Sequence, residues 1–462
     1  MPAAAPPATI PSMVGLKRLL VLALLVACGD DSGSTIVIVP DMSGDSGTPD
    51  IAVDMPEDAD MDDLGDLGDL GDMGATGCTS EAEDLFTLGS DAAFDARRVA
   101  VTAGDGSFLV AWEDQSRGRR IRALRVPTNG APGEPIDLTS GLTRPREPAL
   151  LTLDDGVLLA YTDNDTGGMG EQVLTRRLDA AGMPLGEPEV LTSGPARPSS
   201  PTLAREGTTF LAGCVEADTA AGLFRAQAVT VDASGSIPTG ATVRTASTSG
   251  SPFLSPQLVA RDGAGYAMAF IDTGAAGGAG ARYAPLAING NLAGAVVNVG
   301  LDENAREAVS IALLSQALIP EANDFLGVAF DVLIGSARPE SRVQVFDALT
   351  AEAGGELRSH TSVQTGRSPA IVAFGGGFLV AHRILTDSEG VLAAPTIALS
   401  SLDLTGVLAS TITFGDALAS SAGEGGPVGL AVAPDGTFLL TWADRPAEGG
   451  TAFFARRVSC VL

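Results

Sequence analysis

The heptapeptide FLVAWED at Phe108–Asp114 decides the fold, because six more segments of the same design follow it along the chain. Each is a hydrophobic run, and most follow a turn that contains glycine and end in an acidic residue. The six are Val157–Asp163, Phe210–Glu216, Tyr266–Asp272, Phe325–Asp331, Phe378–Ile384 and Phe438–Asp444. The first residues of successive segments lie 49, 53, 56, 59, 53 and 60 positions apart. The chain therefore contains seven repeats of about 55 residues each.

Each repeat has room for four strands, which we label A to D in chain order. Strand A is short and often follows proline, as at Pro148 and Pro201, and a turn such as Asp154-Asp155-Gly156 leads into the hydrophobic strand B. Strand C is polar and often contains arginine, and strand D is short, as at Pro135–Thr139. Because strand B is apolar throughout, both of its faces should be buried. The pattern predicts an all-β fold, a seven-bladed β-propeller of four-stranded blades, with a right-handed parallel β-helix as the alternative.

The last repeat lacks strand D, and a segment at the start of the repeat region resembles the missing strand. The final unit stops after strand C at Ala452–Val458, whereas Glu83–Leu88 (EDLFTL) reads like the D strands of other repeats. We therefore predict that the N-terminal strand completes blade seven. In that register Cys78 and Cys460 meet at the turn between strands C and D, which predicts a disulfide. Two free thiols are the alternative.

The N-terminal region predicts export. Lys17 and Arg18 precede a nine-residue apolar run, Leu19–Ala27 (LLVLALLVA), which is too short to span a bilayer and is typical of a signal peptide. The run ends in Leu25-Val26-Ala27-Cys28, which resembles the lipobox of bacterial lipoproteins. The resemblance implies cleavage before Cys28, lipid on its sulfur and attachment to a membrane of the cell envelope, at the outer membrane or cell surface. An ordinary signal peptide with a chance cysteine is the alternative.

An acidic tether, residues 28–77, separates this signal peptide (residues 1–27) from the propeller (residues 78–462). Between Gly29 and Gly77 the sequence has 13 Asp, one Glu and no basic residue, and Asp62–Gly74 reads DDLGDLGDLGDMG. The segment lacks helical or strand periodicity and its like charges oppose collapse, so we predict disorder. The net charge of the whole chain is −29, which argues against nucleic acid as a partner.

In overall plan the repeats resemble Asp-box propellers such as sialidases, and surface lipoprotein propellers of GC-rich bacteria. The turn after strand C, as at Asp179–Gly182, matches the Asp-box in position but lacks its serine, its spacing and its tryptophan. A sialidase-type enzyme needs a tyrosine nucleophile. All three tyrosines, Tyr161, Tyr266 and Tyr283, fall within predicted strands, the first two as packing residues in strand B.

Other catalytic chemistry has few candidate residues. The chain has two histidines, of which His382 takes the place of Trp112 in its strand B and His360 lies in or near a strand D. Histidines so placed favour neither a zinc site nor a catalytic triad. Asp163-Asn164-Asp165 is the best single candidate for a bound cation. We predict no catalytic residue, no metal and no cofactor.

Arginines and acids should converge on one face of the propeller. The loops that join strand D to the next strand A contribute arginines, and the ends of the B strands contribute acids, and both ring the same face. This set comprises Arg144, Arg197, Arg306, Arg367, Asp114, Asp163, Asp272, Asp331 and Asp444. One interpretation is a ligand-binding face, where the guanidinium groups of the arginines bind acidic groups of a ligand. The other is a set of ion pairs between blades that orient neighbouring sheets.

These patterns lead to two functional hypotheses. The first is a surface-anchored lipoprotein propeller that serves as a binding or scaffold domain, is not an enzyme, and meets an unknown protein or glycan partner as a monomer. The second is a glycan-active, sialidase-like hydrolase. The hydrolase requires at least two carboxylates and a tyrosine in one pocket.

Overall fold

The structure, a computed structural model, describes the chain in segments between residues 78 and 460. They are residues 78–80, 84–91, 99–114, 119–139, 144–164, 170–192, 198–218, 220–274, 279–299, 305–315, 324–334, 338–350, 352–353, 358–359, 366–386, 392–404, 406–414, 428–444 and 451–460. The predicted signal peptide, Cys28 and the acidic tether lie outside these segments. All elements named below are β-strands, and in the described segments no helix has the length and hydropathy needed to cross a membrane.

The strands form seven antiparallel sheets, which we number as blades 1 to 7. The A strands are Val99–Gly104, Arg146–Leu153, Ser199–Glu206, Phe253–Ala260, Ala305–Leu314, Gly366–Phe374 and Gly429–Val432. The B strands are Ser107–Asp114, Gly156–Asn164, Thr209–Asp218, Tyr266–Asp272, Phe325–Ile334, Gly377–Thr386 and Thr437–Asp444. The C strands are Arg120–Pro127, Glu171–Asp179, Leu223–Val231, Gly280–Leu286, Arg338–Asp347, Leu392–Leu402 and Thr451–Cys460.

The D strands form the outer edge of each blade. They are Ile136–Asp137, Pro184–Val190, Arg244–Ser249, Val297–Val299, Arg358–Ser359 and Leu408–Phe414 for blades 1 to 6, and Cys78–Thr79 with Leu85–Asp91 for blade 7. Each A strand contacts the A strand of the next blade, and that of blade 7 contacts that of blade 1. The seven-bladed propeller predicted from the repeats is therefore confirmed. The parallel β-helix is excluded, since the sheets of the described segments pair antiparallel.

Seven hydrophobic clusters fill the seven interfaces between blades. In blade 1, Phe108, Val110 and Trp112 belong to the cluster shared with blade 7, whereas Leu109 and Ala111 belong to the cluster shared with blade 2. The same alternation along the other B strands produces the remaining five clusters. Because side chains of a strand point alternately to its two faces, a strand packed on both sides must be apolar throughout. This geometry explains the uninterrupted hydrophobic runs that mark the repeats.

Both ends of the described chain contribute to blade 7. Leu85–Asp91 pairs antiparallel with the C strand Thr451–Cys460, in a register that places Leu85 opposite Arg456 and Asp91 opposite Thr451. Closure by the N-terminal strand is thus confirmed, although the strand extends to Asp91 and Glu83 lies outside the described residues. Ion pairing reinforces the contact, because Arg457 donates from Nε to Asp84 Oδ1 at 3.0 Å and its guanidinium lies over the Phe86 ring.

The predicted disulfide between Cys78 and Cys460 is present. The two residues face each other as paired strand positions, with their Cα atoms 4.0 Å apart, rather than in a turn as the sequence suggested. The bond joins residues separated by 382 positions, so it links the start of the ring to its end. Cys214 is a free thiol within the core between blades 2 and 3, and burial raises its pKa to about 12.

In blades 2, 3 and 4 the turn between strands C and D interlocks with the preceding blade. In blade 3 the Asp232 carboxylate accepts hydrogen bonds from the backbone N–H groups of Ser234 and Ser236, and Gly235 has a φ of +90°. The Gly235 carbonyl in turn accepts a bond from Thr175 Oγ1 of blade 2 at 2.8 Å. A Cβ atom at Gly235 would lie 2.6 Å from Thr175 Oγ1. The position therefore requires glycine both for its backbone angle and for the close approach.

Arginines on C strands reach the same turns from the neighbouring blade. Arg177 of blade 2 donates from Nη1 to the Ala233 carbonyl of blade 3. Arg457 of blade 7 donates from Nη1 to the Gly130 carbonyl of blade 1 at 2.7 Å. The contact that joins blades 2 and 3 is thus repeated at the junction where the chain ends meet. This recurrence indicates that the closing interface has the same construction as an internal one.

Replacement of Gly235 and of Gly240 by alanine distinguishes two contributions to stability, the interlock between blades 2 and 3 and the strain of a positive φ. Both residues have positive φ, +90° and +87°, but no atom lies within 4 Å of a Cβ built at Gly240. Both variants should lose stability from the strained φ, and Gly235→Ala should lose about 1–3 kcal/mol more because of overpacking. Urea unfolding of the two variants measures this difference. Equal losses would contradict the interlock.

Candidate functional site

The strand order places those predicted site residues that the structure describes on one face, which we call the upper face. Strands A begin and strands B end there, whereas the turns between A and B and between C and D lie on the opposite, lower face. Arg197 lies outside the described residues. Arg306, Arg367 and Asp444 are strand residues whose side chains lie outside the described atoms. Arg144 and the other four acids are described in full.

Four of the predicted acids are buried at the ends of their B strands, namely Asp114, Asp163, Asp272 and Asp331, with 2–5% of each residue exposed. A buried carboxylate needs hydrogen bonds or a counter-ion, because loss of water strongly disfavours its charged form. Asp114 has a network of partners in blade 1. It lies 3.4 Å from Arg122 Nη1 and 3.8 Å from Arg120 Nε, and Asp137 bridges the same two guanidinium groups.

Asp272 is held in a similar way in blade 4. Arg282 Nη1 lies 3.1 Å from its carboxylate, and Ser249 Oγ and the Gly274 N–H both donate to Oδ1 at 2.9 Å. In both blades the arginine comes from strand C of the same blade. These ion pairs therefore differ from the pairs between blades that the sequence suggested. They fix strand C against strand B inside one sheet.

Asp163 and Arg144 form a different arrangement in blade 2. Asp163 Oδ1 accepts hydrogen bonds from the backbone N–H groups of Arg144 at 2.8 Å and Asn164 at 2.7 Å. The carboxylate thus anchors the start of the loop that leads into strand A. The Arg144 residue is exposed, and its guanidinium forms no ion pair with any described residue. The loop presents this cation to solvent at the upper face.

Three residues with positive φ lie near the start of strand A in blades 2, 3 and 4, at the upper face. Glu147, Ser200 and Ser255 have φ values of 55°, 54° and 47°, and each precedes a proline in strand A. Strand A has a register shift at this point in blades 2, 3 and 4. A residue other than glycine rarely adopts such a φ, and strain of order 1–3 kcal/mol per residue often occurs at functional sites.

Two glutamates accept hydrogen bonds from Glu147 and Ser200 across the boundaries between neighbouring blades. Glu113 of blade 1 accepts a hydrogen bond from the Glu147 backbone N–H at 2.7 Å. Glu147 Oε2 then accepts bonds from the Ser200 backbone N–H of blade 3 at 2.6 Å and from Thr162 Oγ1 at 3.1 Å. The sequence analysis missed both glutamates. The acid that precedes proline in strand A was a signal for Glu147. The role of this residue depends on a bulge in strand A, which the hydrophobic pattern does not predict.

The axis itself contains a cavity of about 210 Å³. All seven A strands line it, mostly with small residues such as Ala100, Ala149, Ala370 and Gly429. Typical pockets for small molecules are larger, from about 300 Å³. A sizeable ligand would therefore contact the ring of bulges at the upper mouth of this cavity rather than enter it.

The tyrosines do not reach this site. Tyr161, Tyr266 and Tyr283 are 2%, 0% and 1% exposed, and the Tyr266 hydroxyl donates to the Thr209 carbonyl at the lower end of strand B. Burial raises the pKa of Tyr266 and of Tyr283 to about 12 and raises that of Tyr161 further. No tyrosine therefore combines with two carboxylates in one pocket.

In the described residues no group of three or more His, Cys, Asp or Glu could hold a metal ion. Asp165 lies outside them.

Comparison with known proteins finds the fold but no family. No family model and no curated protein matches this chain. A Dyadobacter fermentans protein of unknown function is 11% identical, with a TM-score of 0.47 over 83% of this chain and 100% of that one. Trypanosoma rangeli sialidase in complex with sialic acid is 8% identical, with a TM-score of 0.43 over 68% of this chain and 58% of the sialidase.

A third similar structure is the α-L-arabinanase of Penicillium chrysogenum complexed with arabinobiose. It is 12% identical, with a TM-score of 0.43 over 83% of this chain and 98% of the arabinanase. The expectation that this chain is not an enzyme is contradicted, because structures with its fold include glycoside hydrolases. At these identities the likeness shows a common fold, and one fold hosts many activities.

Ultraviolet titration tests the burial of the tyrosines. Because the neutral form is favoured in the folded state, folded tyrosines should not ionise near pH 10, where exposed tyrosines do. Burial of the neutral tyrosines contributes fully to the stability of the fold below pH 10, and this contribution is lost as the pH rises above that value. Tyrosinate absorbance should therefore appear only together with unfolding, which circular dichroism follows in parallel. Ionisation of one tyrosine at or below pH 10 in the folded chain would contradict this assignment.

Proposed function

We propose that this chain is an exported bacterial lipoprotein whose propeller binds a partner on its upper face. The N-terminal features support the first part, since the apolar run Leu19–Ala27 ends at Cys28 in a lipobox-like sequence. In this proposal the mature chain begins at Cys28, which carries lipid, and residues 28–77 hold the propeller away from the membrane of the cell envelope. Two or more acyl chains make such attachment stable.

One observation supports binding at the upper face above all others. The strained residues Glu147, Ser200 and Ser255 occupy the same position in three consecutive blades, and the Glu113 and Glu147 carboxylates bind the backbone N–H groups of the first two. The A strands of blades 5 and 6 have a register shift at the corresponding place. A bulge also exposes backbone groups that a regular strand would direct into its ladder. Glu147 and Ser255 are partly exposed, so their side chains give this face polar groups that a ligand can contact.

The chemistry of this face suits a polar partner, a glycan or a protein surface. Arg144 offers a guanidinium that pairs with no described acid, whereas Arg120, Arg122 and Arg282 on the same face are already paired with carboxylates. A guanidinium fork binds carboxylates and other planar acceptors in two bonds. We propose that Arg144 meets an acidic group of the partner while the bulged strands fix its orientation.

Substitution of Cys28 tests the lipid anchor. Growth with an alkyne-labelled fatty acid should label the wild-type chain and leave Cys28→Ser unlabelled, because lipid attaches to the cysteine sulfur. Cys214→Ser provides a matched control, since Cys214 is buried and should not affect labelling. Unlabelled wild-type protein, cleaved at an ordinary signal peptide site, would contradict the anchor.

Photo-crosslinking tests the binding face in intact cells. A photoreactive amino acid in place of Ala221, which is exposed in the turn between strands B and C of blade 3 on the upper face, leaves Arg144 intact and should yield a discrete adduct of defined mass. The same amino acid in place of Leu349, which is 71% exposed on the lower face, is the control and should yield none. Adducts at Leu349 alone, or equal adducts at both positions, would contradict binding on the upper face.

A further inference from the structure

A second cavity, separate from the upper face, lies between blades 1 and 2 on the lower face. Its volume is about 420 Å³, twice that of the axial cavity and within the range of small-molecule pockets. The turns between strands A and B of both blades form its walls, and Ala180 of the C–D turn of blade 2 lies on its rim. The buried side chains Phe108 and Leu109 belong to its floor. The cavity thus combines an apolar base with a polar opening.

Two arginines line this cavity, and they differ in how their charge is balanced. Arg205 forms two hydrogen bonds with the Asp154 carboxylate, at 2.7 and 2.9 Å, and Nε donates to the Gly207 carbonyl at 2.7 Å. Arg205 also holds the pKa of Asp154 below its ordinary value, so the carboxylate stays charged and neutralises this arginine. The side chain of Arg205 is therefore fully engaged.

Arg125 has no such counter-ion. Its Nε donates to the Ser107 hydroxyl at 2.9 Å, and Ser107 is buried, so the near end of the guanidinium is fixed. Among the described residues no carboxylate forms an ion pair with Arg125, and its two Nη groups make no hydrogen bond. Asp105 also lines the cavity, but it lies exposed in its turn and does not pair with Arg125. Arg125 is an exposed residue, so its oriented guanidinium is open to solvent at the mouth of the cavity with no described carboxylate paired to it.

We propose that this cavity binds a small carboxylate-bearing molecule of about monosaccharide size, with the carboxylate on the Nη groups of Arg125. The free edge of the guanidinium offers two parallel N–H donors, which match the two oxygens of a carboxylate. The Ser107 bond orients that edge before the ligand arrives, which reduces the entropy lost on binding. This site does not depend on the function proposed for the upper face.

A matched pair of ligands tests the chemistry. Glucuronate and glucose share a ring and differ by the carboxylate, and citrate adds an acyclic carboxylate. Calorimetric titration of the full chain should detect binding of glucuronate or citrate at concentrations of up to about 10 mM, a range that reports weak affinities, and no binding of glucose. Binding of neither carboxylate, or equal binding of glucuronate and glucose, would overturn the proposal.

Two pairs of variants locate the bound molecule. Arg125→Gln should weaken carboxylate binding by about tenfold or more, as expected for loss of a charge-assisted bond, whereas Arg244→Gln on strand D of blade 3 removes the same charge and should have no effect. Ala180→Leu should block the rim, whereas Ala181→Leu alters the next exposed residue of the same turn, which does not line the cavity. Urea unfolding confirms that each variant is folded. Unchanged binding in Arg125→Gln, or equal loss in both members of either pair, would overturn the proposal.

Discussion

The pairing of Leu85–Asp91 with Thr451–Cys460 is the contact on which the whole propeller depends, because it unites the first and last strands of a ring. Each blade is apolar on both faces and is buried only when it has two neighbours. Without this pairing, strand C of blade 7 would lose its outer neighbour and much of its cover. The cluster shared by blades 7 and 1 includes Leu88 from the N-terminal strand, so closure also completes a core.

The interfaces between blades repeat a small set of contacts. A glycine in the turn between strands C and D lies against the preceding blade, where Gly182 meets Leu109 and Gly290 meets Leu211, as Gly235 meets Thr175. Hydroxyl groups also connect the A strands of neighbouring blades. The Thr202 hydroxyl accepts a hydrogen bond from the Leu258 N–H, and the Ser310 hydroxyl accepts one from the Ile371 N–H. These bonds serve backbone groups on the axial edge of strand A, which has no strand partner there.

The sequence predicted those features that follow from burial on two faces. The B strands were recognisable because Phe108–Asp114 and its repeats are apolar throughout, and the missing last strand pointed to closure and to the disulfide. The site was harder to predict. The hydrophobic pattern says nothing about bulges, so Glu113 and Glu147 were missed. It also could not show that Asp114 and Asp272 would pair with arginines of their own strand C.

Hydrogen exchange in a chain without the disulfide tests ring closure most directly, because backbone pairing then acts alone. In the double variant Cys78→Ser, Cys460→Ser, the account predicts that the amides of Leu85–Asp91 and Thr451–Cys460 exchange slowly and at similar rates, since each strand protects the other. Rapid exchange of Leu85–Asp91, while Thr451–Cys460 and the other blades stay protected, would show that the N-terminal strand does not close the ring.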